Sequence, residues 1–123
     1  MDQVFFTLAG LLGALGVALG AFGAHGLEGR RSQELMRTYE KGVRYHLVHS
    51  LAVAVAAVAT LMWPYSRFPI WAGWLFLVGV LLFCGSLYVR VLFLSKKAAL
   101  PAPLGGLAFI LGWLALALTP WLR

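Results

Sequence analysis

Acidic side chains are scarce, with four Asp and Glu in 123 residues against ten Lys and Arg. No charged side chain of either sign occurs in residues 3–27, 45–66, 68–89 or 98–122, leaving uncharged runs of 25, 22, 22 and 25 residues. A helix needs about 20 apolar residues to cross roughly 30 Å of hydrocarbon, so four spans fit and little chain is left over. The connections are too short to hide a soluble catalytic domain or a nucleotide-binding βαβ unit. Ionisable groups within spans usually mark ion pathways; their absence argues against a proton- or sodium-coupled transporter. Cys84 is the one cysteine, so an intramolecular disulfide is excluded and redox compartment is not indicated. No Cys pair, HExxH or carboxylate dyad occurs.

What is present is apolar: 62% hydrophobic residues, 11% charged, and a mean hydropathy of +0.87. The expected fold is all-α, an integral membrane antiparallel four-helix bundle forming a single transmembrane domain over residues 1–123. Its spans are expected near 4–25, 45–63, 69–89 and 103–120. Ala21 and Gly23 stand at a spacing that could suit a signal-peptide cleavage site, but the basic n-region is missing. The first run is therefore expected to be a membrane span.

The net charge of +6 does not imply a nucleic-acid surface, because the basic residues flank the apolar runs. The first connection holds Arg30, Arg31, Arg37, Lys41 and Arg44, and the third holds Arg90, Lys96 and Lys97. Only Arg67 and Arg123 fall on the opposite side. Eight against two places the first and third connections in the cytoplasm and both termini outside it. Phe5, Phe6, Trp63, Tyr65, Trp71 and Trp121 are expected as an aromatic belt at the non-cytoplasmic interface. Ser32 suits an N-cap, and Glu40 with Arg44 makes an i,i+4 pair. An amphipathic helical segment is thus expected over about 33–44, with Leu35, Tyr39, Val43 and His46 as its apolar stripe. It would lie in the interface before turning into the second span.

Lipid tails are as apolar as leucine, so small residues that let backbones approach must help hold the helices together. Ala9, Gly13, Gly16, Gly20 and Gly23 recur at intervals of four and three along the first span. Gly105, Ala108, Gly112, Ala115 and Thr119 repeat the pattern in the fourth, and Gly79 belongs to a sparser version in the third. These are expected packing positions; spacing alone leaves open whether they serve the bundle or an oligomer.

Polar groups concentrate at one expected rim. His25 ends span one, Tyr45, His46 and His49 begin span two, Ser86 and Tyr88 end span three, and Gly105 with Gly106 begins span four. A small cytoplasmic-rim site or docking surface is one reading. Another is that His46 and His49, three apart on a helix, join His25 around a metal, or that His25 and one of them ligate a haem. The plain alternative is that the histidines, Ser86 and Tyr88 hydrogen-bond carbonyls freed near helix ends. That alternative is preferred, and no metal or cofactor is assigned.

Residues 20–27 (GAFGAHGL), 45–51 (YHLVHSL), 85–88 (GSLY) and 103–106 (PLGG), with Gly112–Trp113 beyond, resemble the successive motifs of the YgdD/YwdK-like family. That family comprises small bacterial inner-membrane proteins, with a related mitochondrial transmembrane protein, and is a domain of unknown function. The resemblance implies a four-span protein of the bacterial inner membrane and supplies no activity or ligand. Where the family commonly has Ser before GSLY, this chain has Cys84.

Three roles follow in order of support. The first is a structural or accessory membrane protein acting through helix contacts, with membrane lipids around it and a homo-oligomer or larger membrane complex as partner. The second is a binding or transport module for a small neutral or lipid-like molecule, and the third is metal or haem binding. An enzymatic role has least support, since no acid and base with complementary roles stand together.

Overall fold

A computed structural model describes all 123 residues. The chain is helical with no strand, and four helical stretches are long and apolar enough to cross a membrane: Asp2–Leu27, Gln33–Met62, Phe68–Leu92 and Lys96–Leu118. The first consists of α1 (Asp2–Phe22) and a π-helical turn at Gly23–Leu27. The second is one unbroken helix, α2 (Gln33–Met62). The third is α3 (Phe68–Gly79), a second π-turn at Val80–Cys84, and α4 (Gly85–Leu92). A short 3-10 helix, Lys96–Ala99, leads into α5 (Ala102–Leu118).

Local chemistry explains the boundaries. Gly29 reverses the chain after the first span with φ +80, a conformation that costs glycine little. The Ser32 hydroxyl then accepts the Leu35 amide at 3.2 Å and starts α2. Pro69 occupies the first turn of α3 and Pro103 that of α5, where the missing N–H leaves no bond unmade. The third span ends under Arg31, whose Nε and one Nη donate to the carbonyls of Val91 (2.8 Å) and Leu92 (3.1 Å). A cation at a helix C-terminus also suits the helix dipole.

The expected turn between an interfacial helix at 33–44 and the second span is absent. Residues 33–62 contain no proline, and Gly42 lies within the helix without a break, its missing side chain leaving room for the ring of Tyr88. Thirty residues make a rod about 45 Å long, longer than the hydrocarbon it must cross. Tyr39, expected on the apolar stripe of an interfacial helix, is buried within the protein with Leu27 and Val91.

Contacts run in opposite order along neighbouring helices, as an antiparallel arrangement requires. On α1 and α2, Tyr39 meets Leu19 and Gly23, Val43 meets Gly20, and His46 meets Leu12 and Gly16. Between the third and fourth spans, Phe76 meets Gly112, Phe109 meets Gly79, and Phe83 meets Gly105. The core centres on the alanine face of α2, Ala52, Ala56 and Ala57, packed with Phe5, Phe76 and Phe109. Phe5 is therefore not part of an interfacial belt: it is fully buried over Gly73 and edge-on to Trp74. Phe6, Tyr65, Trp71 and Trp121 do present exposed rings.

The small-residue positions divide. Ala9 and Ala108 are buried, and Gly16, Gly20, Gly23, Gly79, Gly105 and Gly112 each lie directly against a neighbouring helix. Gly13 does not, since a Cβ there would meet nothing within 4 Å. At 100° per residue it sits about 60° round the helix from Gly16, at the edge of the seam.

Candidate functional site

Two histidines one turn apart on α2 organise the buried polar groups. A main-chain carbonyl can only accept, so His46 Nε2, 2.7 Å from Leu12 O, carries the hydrogen. Its bare Nδ1 then accepts the Tyr88 hydroxyl at 2.8 Å. His49 takes the opposite tautomer. The Trp113 indole N–H can only donate, so His49 Nε2, 3.1 Å away, is bare, and Nδ1 donates to Tyr45 O at 2.8 Å. Each ring uses one donor and one acceptor, which is the neutral form. A three-residue step leaves the two side chains about 60° apart round the helix, and they meet different neighbours. His46 ties α2 to α1 and α4, and His49 ties it to α5.

Aromatic rings surround both. His49 stacks on Phe109 with centroids 3.6 Å apart and planes 12° from parallel, and Tyr88 lies 5.5 Å from the Tyr39 ring. The Tyr39 hydroxyl donates to Leu19 O, one heptad along α1 from the carbonyl that His46 reaches. Ser50 returns its hydroxyl to His46 O at 2.8 Å. No buried side-chain nitrogen or oxygen lacks a partner.

The expected site residues therefore do not converge on one place. His25 is exposed within the first π-turn. It lies thirteen residues from Leu12, the residue His46 touches, or about 20 Å along the helix axis. The histidine pair is correspondingly about 20 Å inside the start of α2, because α2 begins at Gln33. A shared metal or a His25 haem would need to close that gap and displace hydrogen bonds already made. Ser86 donates to Leu82 O within its own span. Gly105 is a contact point, since a Cβ there would fall on the backbone of Phe83.

Two open grooves border α2 within the apolar part of the bundle. One, of about 500 Å³, lies between α2 and α5 and is lined by Tyr45, His49, Phe83, Gly106, Phe109 and Trp113 among others. The second, of about 540 Å³, runs between α1 and α2 beside Gly10, Gly13, Val17, Leu47 and Leu51. Trp113, Phe83 and Phe109 were not anticipated as site residues. A tryptophan placed mid-span, whose N–H must find a partner in hydrocarbon, was the available signal for Trp113.

The family described as "Protein of unknown function (DUF423)" matches residues 19–106. The chain belongs to this DUF423 family. It is 40% identical over 117 residues to a UPF0382 membrane protein of Staphylococcus haemolyticus, covering 95% of this chain and 94% of the relative. Over 112 residues it is 37% identical to the UPF0382 membrane protein YwdK of Bacillus subtilis, covering 91% of each. A UPF0382 membrane protein of Haemophilus influenzae is 35% identical over 118 residues, covering 95% of this chain and 93% of the relative. No solved structure matches. The relatives are named as membrane proteins, in agreement with the four apolar helices. The DUF423 match includes His25, Tyr45, His46, His49, Ser86, Tyr88, Gly105 and Gly106, and ends before Trp113.

Proposed function

We propose that the protein is an accessory, non-catalytic component of the bacterial inner membrane, with both termini on the non-cytoplasmic side, that works by contact with another transmembrane helix. That helix belongs to a second copy or to a larger membrane complex. The observation that carries this reading is the contrast among the glycines of α1. Gly16, Gly20 and Gly23 each meet a side chain of α2, whereas Gly10 and Gly13 meet nothing within 4 Å and border an open groove. Glycine costs a helix about 1 kcal/mol relative to alanine, and small residues favour close helix approach in membranes. The eight Lys and Arg of the first and third connections against two elsewhere support the orientation. The buried histidines support a non-catalytic role, since all four ring nitrogens of His46 and His49 are hydrogen-bonded, three of them to neighbouring helices and His49 Nδ1 within α2.

Extraction in a mild detergent with native mass spectrometry tests the contact. The expected result is an assembly heavier than the 13.4 kDa chain; Gly13→Leu abolishes it while the melting temperature is retained. Recovery of the unaltered protein only as a 13.4 kDa species contradicts it.

The aromatic groove between α2 and α5 favours a second role beside the first, the binding of a lipid-like molecule. Mild extraction followed by lipid analysis tests it.

A further inference from the structure

Resting on that second role, we propose that the groove between α2 and α5 is a site for one anionic phospholipid, with an acyl chain among the aromatic rings and the phosphate held by Lys41, Lys96 and Lys97. The groove walls are rings and methylenes: Tyr45, Phe83, Phe109, Ile110 and Trp113. The Trp113 N–H and both His49 nitrogens are already bonded, so a water molecule would find few partners there. Hydrocarbon is the occupant that a bilayer offers at this depth.

The headgroup assignment follows from where the charges stand. Lys41, Tyr45 and His49 are spaced four apart on α2 and so share one face. Tyr45 and His49 line the groove, which puts Lys41 one turn beyond its Tyr45 end, about 6 Å along the axis. On the opposite wall the groove reaches Pro103, and the 3-10 helix that leads into α5, six to seven residues earlier, carries Lys96 and Lys97. All three lysines are exposed and none is paired, because the one ion pair in the molecule joins the N-terminus to Asp2. The nearby carboxylates of Glu28 and Glu40 border a separate polar groove with Arg31 and Arg37. Flexible lysine stems reach a phosphate at the interface readily. The charge then sits at the end of an apolar slot, matching the two halves of a phospholipid.

The test is native mass spectrometry of the full chain titrated with phosphatidylglycerol or phosphatidylcholine of identical acyl chains. One phosphatidylglycerol should be retained in preference to phosphatidylcholine. Gly106→Leu should remove that binding, because its side chain would fill the groove. It should also leave the thermal melt intact, since a Cβ there meets only Phe83 Cδ2 at 4.0 Å. Replacing Lys41, Lys96 and Lys97 by Gln should erase the preference, by about fivefold per lysine, the equivalent of ~1 kcal/mol each. Equal retention of both lipids by the unaltered chain overturns the headgroup assignment and leaves the lipid-binding role standing. Retention of neither overturns both. Undiminished binding to a folded Gly106→Leu chain overturns the groove as the site.

Discussion

His46 and Gly16 act as a pair across the α1–α2 contact. The imidazole Nε2 reaches the Leu12 carbonyl at 2.7 Å, and Gly16 is the residue one turn on, whose side chain would otherwise cover that carbonyl. A Cβ on Gly16 would lie 3.1 Å from His46 Cδ2 and 2.7 Å from Leu47 Cδ2. The arrangement repeats one heptad along, where Tyr39 reaches the Leu19 carbonyl and a Cβ on Gly23 would lie 2.5 Å from Tyr39 Cε1. Glycine at these positions exposes a carbonyl to a partner on the next helix.

Gly16→Leu should therefore lower the thermal stability of the detergent-solubilised protein by about 1 to 3 kcal/mol, the usual range for overpacking. Gly13→Leu, three residues away and facing open space, should leave the melting temperature unchanged. Equal losses at the two positions would remove the distinction between an inward and an outward glycine.

His46→Leu deletes hydrogen bonds to two neighbouring spans. Interhelical bonds in membranes contribute about 0.6 kcal/mol on average and up to about 1.7, so a loss of about 1 to 3 kcal/mol is expected. Tyr88→Phe should cost less, as it removes only the 2.8 Å bond to His46 Nδ1. In the doubly substituted chain the two effects should fall short of additivity by about 0.5 kcal/mol or more. Strict additivity in chemical or thermal unfolding would deny the His46–Tyr88 bond.

Gly105 and Gly106 are adjacent but not equivalent. Gly105→Ala would drive a methyl group into the main chain of Phe83, which cannot rotate away. A loss of about 3 kcal/mol or more, or failure to accumulate in the membrane, is expected. Gly106→Ala should be neutral or slightly stabilising through better helix propensity. Expression level and melting temperature of the two variants check this directly.

The proposed orientation is checked by labelling single cysteines in a Cys84→Ala background with a membrane-impermeant thiol reagent. Tyr65→Cys should react from the non-cytoplasmic side, and Lys97→Cys only after the membrane is opened. The reverse pattern would invert the topology.

Much of the helical frame was legible because it depends on one-dimensional properties. Uncharged runs of the right length mark the spans, and Ser32 marks the start of α2. The glycine intervals on α1 marked a packing seam without naming its partner, and Gly16, Gly20 and Gly23 touch α2. The site was less legible because axial level cannot be read until helix ends are known. The charges of Arg37, Lys41 and Arg44 suggested a helix lying outside the span, yet they are borne on the span's own rod. Extending α2 back to Gln33 moved His46 and His49 away from His25. Phe5 sits near a span end, as a belt residue would, but Gly73 opens a socket for its ring. Neither π-turn had a local signal strong enough to be anticipated.

The outward face of α1 is the most direct place to test the account. In native membranes, a photo-reactive cross-linker attached to Gly13→Cys in the Cys84→Ala background should yield a protein adduct of higher mass. The same reagent on Leu15→Cys, which is exposed but lies on the far side of α1, should not. An adduct of twice the chain mass would identify a second copy as the partner, and any other discrete mass a larger complex. No adduct at Gly13→Cys, or equal adducts at both positions, would contradict a role built on helix contact.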